Sequence, residues 1–472
     1  MSRPFSMNVT YLRRIGTGIA ACILGAVMAA GITYLIRVHE INKAYAGRYH
    51  TDSPVALRKF PFPYRAAMAI SSDIDNTGTL QEFIEINRFI NTEEMTADMG
   101  TGIGLDIGNS FFFYEPRAGT IGYFSKDPQI SETIRRYVKA GYIDFLHSYG
   151  EKENFTREDA VRALTELKNT SCRLDVWIDH AKSKSNLGDD VTFGLGDHPR
   201  SKEYHADLTL AYGIRFAWLG RVTMITGQSV PVAPGAFLDL FDADHPIPSV
   251  VNIGKEFAKN VLGVLGNKKY ALHRGNELVK ITRLDDGQKL YEFMRFDNGW
   301  RGVGTGADAR GLAQSVSSKV IARLKQKHGY MIVYTHLGKN GDSLPFIPAE
   351  TQKALRNLAA EFKAGNIYIT TTSGLLNYYI HQRYLDWTYK SENGETIIQI
   401  QGIKDPLKGD FVPRIEDLQG ITFYVPDKIK ARILLSGKEL ENIRRNSPDY
   451  TGRPSVTIAP AYFRDFSKKS LN

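Results

Sequence analysis

Apolar and polar positions follow two rhythms along this chain. Short runs that alternate with period two, or are apolar throughout, predict strands; stretches with apolar residues every three or four positions predict helices. Ala66–Ser71 is the first strong predicted strand, introduced by Pro61 and Pro63. Leu80–Ile90 has helical spacing, Gly102–Ile107 and Ser110–Tyr114 predict strands, and Gln129–Ala140 predicts a helix before a strand ending at His147. Thr156-Arg157-Glu158-Asp159 reads as a capping box that opens a helix over Arg157–Asn169. Further strands are predicted at Asp175–Ile178, Arg215–Leu219, Tyr330–Tyr334 and Ile367–Thr370, with helices over Leu312–His328 and Leu375–Tyr384. Strands and helices in alternation predict an α/β fold with a parallel sheet, for which a barrel is the natural closed form.

The rhythm changes after residue 385. Thr396–Gln399, Gly420–Val425, Ala431–Leu435 and Ser455–Ala459 read as strands with turns between them. A small β domain over 385–472 is therefore expected behind a main domain over 60–384. At the other end, Ile15–Ile36 runs for 22 residues without a charge. At 1.5 Å per residue it would span about 33 Å, enough to cross a bilayer. The expected order is a short tail (1–14), a transmembrane anchor (15–36), a polar linker (37–59) and then the two domains. Ala44-Tyr45-Ala46 has a small-x-small pattern, but Arg37, Glu40 and Lys43 precede it and argue against a cleaved signal. Arg3, Arg13 and Arg14 before the span balance Arg37, Lys43 and Arg48 after it. A single-pass membrane protein with its large domain extracytoplasmic, periplasmic or at the cell surface, is the expectation.

Composition changes this picture little. The net charge is +9, spread along the chain without blocks larger than Lys268-Lys269 and Lys468-Lys469. An acidic polysaccharide or a membrane surface suits such a balance, while no nucleic-acid motif accompanies it. Cys22 lies in the apolar run and Cys172 stands alone beyond it, so the folded part has no internal disulfide.

The candidate chemistry sits at strand ends. Asp73 and Asp75 follow the first strand at i, i+2 spacing, which puts both side chains on one side of an extended segment. Neighbouring carboxylates repel unless a cation or proton intervenes, so one can bind a metal while the other serves as base. The same residues also read as a turn, Asn76–Thr79, with Asp75 as a helix cap. His147-Ser148, Asp179-His180 after Trp177-Ile178, and Thr335-His336 each follow another apolar run, as ligands or as hydrogen-bonded loop residues. Strands of a parallel α/β fold direct such ends into one crevice.

Ser72-Asp73-Ile74-Asp75-Asn76, His147-Ser148 and Tyr334-Thr335-His336, with the ending Ile369–Leu376, resemble the polysaccharide deacetylase superfamily of NodB-homology or carbohydrate esterase 4 type. The resemblance covers roughly residues 60–385. It implies a distorted (β/α)7-type barrel and a metal-dependent hydrolase that removes N-acetyl groups from a surface or exported polysaccharide. It further implies Asp73 as general base, Asp75 and His147 as ligands of a divalent cation, zinc named first, and His336 as catalytic acid. Two departures stand out: Glu151 occupies the place of the second ligand His, and the Arg-x-Pro motif is not visible. His180 completes the ligand set in our reading, with Glu151 as the substitute. Trp177, His205, Asn109 and Asp179 are candidate substrate contacts, with packing as the favoured alternative for Trp177 and His205 and with Asn109 and Asp179 the weaker candidates beside the same crevice. A glycosidase on a related barrel, or a non-catalytic sugar-binding or assembly protein, are the competing classes.

Overall fold

The computed structural model describes residues 28–45, 53–114, 120–181, 183–188, 192–232, 235–299, 307–340, 344–426 and 430–460. Twelve strands belong to the main region or lead into it: β1 (Ala56–Leu57), β2 (Ala66–Ser72), β3 (Gly108–Phe111), β4 (Ile143–His147), β5 (Val176–Ile178), β6 (Phe216–Trp218), β7 (Val222–Thr223), β8 (Val279–Arg283), β9 (Lys289–Phe293), β10 (Arg295–Phe296), β11 (Tyr330–Thr335) and β12 (Ile367–Ile369). All but β1 form one sheet, in the order β7-β10-β11-β2-β3-β4-β5-β6-β9-β8, with β12 added onto β2. Every pairing within it is parallel except the β8–β9 hairpin. Strands β9 and β10 are one residue apart, and pair with β6 on one side and with β7 and β11 on the other. The sheet therefore curls round a common interior.

Side-chain parity explains the layers. Along β2, Ala67 and Ala69 face the interior cluster, while Ala66, Met68 and Ile70 pack outward beneath the helices. Along β11, Tyr330, Ile332 and Tyr334 face in, and Met331 and Val333 face out. In β5, Val176 and Ile178 face in and Trp177 faces out. A strand buried on both faces gives a near-continuous apolar run, which is why these segments are legible by hydrophobicity alone.

Crossover helices cover the outside. Leu80–Asn91 follows β2, Pro128–Ala140 follows β3 and Arg157–Asn169 follows β4. The capping box at Thr156 is present, with Thr156 N donating to Asp159 Oδ2 at 3.0 Å. The helix Leu80–Asn91 is capped by Thr79, whose hydroxyl accepts from Glu82 N; Asp75 is not its cap.

Two predicted elements differ. Residues 102–107 form no strand: Gly102 N donates to Glu94 O, and Ile103 N and Leu105 N donate to Phe89 O and Ile90 O. The segment satisfies the carbonyls at the end of helix Leu80–Asn91 instead of joining a ladder. A Cβ on Gly102 would lie 2.2 Å from Thr92 O, so only glycine permits that approach. The helix predicted over Leu312–His328 is two, Gly311–Ser315 and Ser318–Lys327, broken where Ser317 adopts extended backbone as the second helix's N-cap.

Beyond residue 384 lie two smaller sheets. One joins β13 (Leu385–Glu392), β14 (Glu395–Asp405), β15 (Gly409–Phe411), β17 (Lys430–Leu435) and β18 (Lys438–Glu439); the other joins β1 to β16 (Thr422–Tyr424), β20 (Ser455–Ile458) and β19 (Ile443–Asn446). The stretch 37–59, predicted as a linker, thus contributes β1 and the end of a helix over 28–45. Arg215, directly before β6, reaches Asp405 at 2.8 Å, so these sheets engage the end of the barrel-like sheet where strands begin. The predicted span over 15–36 lies largely outside the described residues; among those described, no helix is long and apolar enough to cross a membrane.

Candidate metal centre

The inward parity of each strand carries on to its carboxyl end or just past it, and there the polar side chains meet. From β2 the inward series 67, 69, 71 continues to Asp73 and Asp75; from β4, Phe145 leads to His147. From β5, Val176 and Ile178 lead to His180; from β11, Ile332 and Tyr334 lead to His336. Backbone bonds extend the ladders to hold these ends: Asp73 N donates to Thr335 O at 2.9 Å and Ser148 N to Ile178 O at 2.7 Å. Asn76 and Ser148, each immediately after a candidate ligand, have φ of 65° and 45°. Left-handed backbone at non-glycine residues is a strained arrangement that folds retain chiefly where the turn is needed.

Two overlapping sets have donor atoms all within 4.8 Å of one another: Asp75, His147 and His180, and Asp73, Asp75 and His336. Asp75 is common to both. Its Oδ1 lies 2.8 Å from His180 Nε2, while its Oδ2 lies 3.6 Å from both His147 Nδ1 and His336 Nε2. That Oδ2 is sealed from solvent and has no hydrogen-bond partner among the described residues. A buried carboxylate oxygen without a donor is costly, and a cation facing it would remove the cost.

His147 and His336 are already in the protonation state that cation binding requires, whereas His180 must release a proton to become a ligand. Burial holds His147 well below the ordinary histidine value, against the pull of Asp75. Burial likewise lowers His336 to about 4, so both rings are neutral with a lone pair to give. His336 Nδ1 bonds Ala307 O; that assigns the ring proton to Nδ1 and leaves Nε2 toward the carboxylates. Burial alone would lower His180, but its bond to Asp75 and the Glu151 carboxylate prevail and raise it to about 9. Asp75, which burial would raise, is driven well below its usual range by His180, His147 and His336.

Glu151 is in neither set. Its Oε1 stands 3.0 Å from His180 Nδ1, on the ring edge away from Asp75, which His180 meets through Nε2. Carboxylates behind ligating histidines fix ring orientation and raise basicity.

Asp73 has a partner that the sequence reading missed. Arg295 of β10 binds it with both arms, NH2 to Oδ1 at 2.7 Å and NH1 to Oδ2 at 2.9 Å, and also donates to Ser71 Oγ at 2.8 Å. Both residues are buried, Arg295 to 0 % and Asp73 to 1 % exposure. Its guanidinium lies between Trp218 and Tyr334, 4.5 and 4.6 Å from the ring centroids. The signal was a lone arginine in the apolar stretch Phe293–Phe296, since a buried arginine requires a carboxylate. Tyr334 adds a hydroxyl 3.4 Å from His336 Nε2.

The four candidate substrate contacts point elsewhere, and for two of them parity gives the reason. Trp177 and Asp179 are on the outward series of β5: Trp177 is sealed, and its Nε1 donates to Asp179 Oδ1 at 2.7 Å. Asp179 also accepts from Leu187 N, Gly188 N and Thr192 Oγ1 at 2.8–2.9 Å, pinning the following loop. Asn109 donates to Asn87 in the outer helix at 2.9 Å. His205 is buried with Nδ1 2.8 Å from Thr209 Oγ1 and Nε2 2.7 Å from Ser185 O. None offers a free face to a sugar. Among the described residues, rings that border the centre include Phe112, 4.8 Å from His147 and 5.2 Å from His180, and Tyr334, 5.1 Å from His336.

Comparisons with protein-family models, curated proteins and solved structures return no match for this chain.

Proposed function

We propose that this chain is a metal-dependent hydrolase that removes N-acetyl groups from a polysaccharide. The observation that carries the reading is the meeting of Asp75, His147 and His180 beside Asp73 and His336, around a carboxylate oxygen with no hydrogen-bond partner among the described residues. Asp75, His147 and His180 would hold the cation, and two imidazoles with one carboxylate are a set suited to zinc. When bound, the cation would polarise the acetyl carbonyl and lower the pKa of water.

The chain's own groups supply the proton steps. Asp73, held in orientation by Arg295, takes the proton of the attacking water. Asp73 hands that proton to His336, which begins neutral with Nε2 4.0 Å from Asp73 Oδ2, and His336 then gives it to the departing amine; acetate leaves with the oxygen from water, and its remaining proton returns to Asp73. The rigid Ala307 bond keeps Nε2 directed at the reacting centre throughout. A glycosidase is less well supported, because donor oxygens of Asp73 and Asp75 lie within 4.8 Å of each other. That leaves less room than a sugar flanked by paired carboxylates requires.

The test pairs metal content with acetate release from a panel of N-acetylated glycans, for wild type and Asp73→Asn. Bound divalent metal, chelator-sensitive acetate release and loss of release in Asp73→Asn are expected. Equal release by both chains would remove Asp73 from the base role. No bound metal and no chelator effect would sink the hydrolase reading and favour a sugar-binding protein.

A further inference from the structure

The helix Pro246–Val264 is built inside out. The residues it buries are Ser249, Glu256, Asn260, Gly263 and Val264. Glu256 accepts from Lys259 Nζ at 2.7 Å and Thr223 Oγ1 at 3.0 Å, and Asn260 Nδ2 donates to His273 O at 2.8 Å. The opposite face carries Ile247, Val250, Val251, Phe257 and Leu262, continued by Leu265, all exposed, Ile247 to 78 %. Spacing of three and four makes this an apolar stripe, but one turned away from the core. Soluble monomers seldom leave a large apolar patch uncovered.

The neighbouring helix indicates what covers it. Residues 28–45 pack along the flank of this helix, at the border between its buried side and the stripe: Tyr34 OH donates to Asn260 Oδ1 at 2.9 Å, and its ring meets Phe257 edge-on at 6.0 Å. Arg37 NH1 donates to Val264 O at 2.6 Å. Residues 28–36 are the described end of the uncharged run Ile15–Ile36, and there Ile32, Leu35 and Ile36 are also exposed, Leu35 to 66 %. Lys268 and Lys269 follow the helix, a basic edge suited to anionic headgroups.

We propose that the outward face of Pro246–Val264 rests in the interfacial layer of a lipid bilayer, beside the apolar N-terminal run. Helices of this pattern sink their apolar face about 5–10 Å below the headgroups. The polar residues on the protein side then hold the helix to the body while the stripe meets acyl chains. The inference is independent of the hydrolase reading.

The test uses the full chain, with Cys22→Ser and Cys172→Ala, reconstituted in vesicles of phosphatidylglycerol and phosphatidylethanolamine. A bimane label is placed at Val250→Cys or Leu262→Cys, and for reference at Lys390→Cys, an exposed position of β13. Labels at 250 and 262 are expected to show blue-shifted emission, loss of intensity with shallow nitroxide lipids, and protection from aqueous iodide; the label at 390 should behave oppositely. Quenching by iodide at 250 and 262 would overturn the proposal, since the face is then wet. Protection from iodide without quenching by lipid would overturn it equally, because a second copy or residues 1–27 then cover the stripe. Two sites on separate turns, each checked against the parent's circular dichroism, keep one misfolded variant from deciding the result.

Discussion

Replacing Arg295 with Met tests the electrostatic arrangement of the centre most directly. The guanidinium makes two bonds to Asp73 and one to Ser71, and neither member of the pair is more than 1 % exposed. Met fills much of the same volume between Trp218 and Tyr334, so packing changes little, whereas Asp73 is left charged and uncompensated. Breaking a buried pair in this way costs about 3–5 kcal/mol. Asp73→Asn alone leaves the guanidinium unmatched and carries a similar penalty. The double variant Arg295→Met/Asp73→Asn removes both charges, and should be more stable than the sum of the single effects by about 2–3 kcal/mol. Urea denaturation of the four chains at neutral pH, with chelator present so that no cation contributes, reads this coupling directly. Additive losses, within about 0.5 kcal/mol, would refute the claim that Arg295 serves chiefly to neutralise Asp73.

Three further outcomes follow from the same geometry. Glu151→Gln should keep the fold but weaken cation affinity about 10–100-fold, because His180 loses the carboxylate behind its Nδ1; calorimetric titration with zinc checks this, and unchanged affinity contradicts it. Burial lifts Asp144 to about 6, despite bonds from Ser373. Its folded value therefore exceeds the unfolded one, the native chain alone keeps the proton between about pH 4 and 6, and stability falls as pH rises through that window. At 1.36 kcal/mol per unit the loss is about 3 kcal/mol; Asp144→Asn should lack it, and parallel pH profiles for the two chains would disprove the assignment. Gly150 has φ of 104°, and a Cβ there would lie 1.9 Å from Tyr114 O. Gly150→Ala should cost at least about 1–3 kcal/mol from backbone strain alone and displace the His147 loop, visible as a lowered melting temperature and weakened zinc binding; wild-type values for both would show that the loop is not so constrained.

Much of the centre was legible because strands buried on both faces announce themselves as apolar runs. Once β4, β5 and β11 are recognised, residues just past their ends are candidates, and His147, His180 and His336 follow. Parity was equally readable and went unused: Trp177 and Asp179 differ by one position from Ile178 and His180, and that step puts them on the outer layer. Residues 102–107 were misread for a related reason. Their apolar positions are buried, but against the end of a helix, and hydrophobicity reports burial without saying which backbone supplies the hydrogen bonds.

Local sequence, then, determined where the chain would extend or coil and which side chains would face inward, because those properties depend on neighbours two to four residues away. It could not decide which inward groups would pair. Arg295 meets Asp73 across 222 positions and His180 meets Asp75 across 105. Only the curling of the sheet brings them together, since the energy of a buried charge is set by what surrounds it in space.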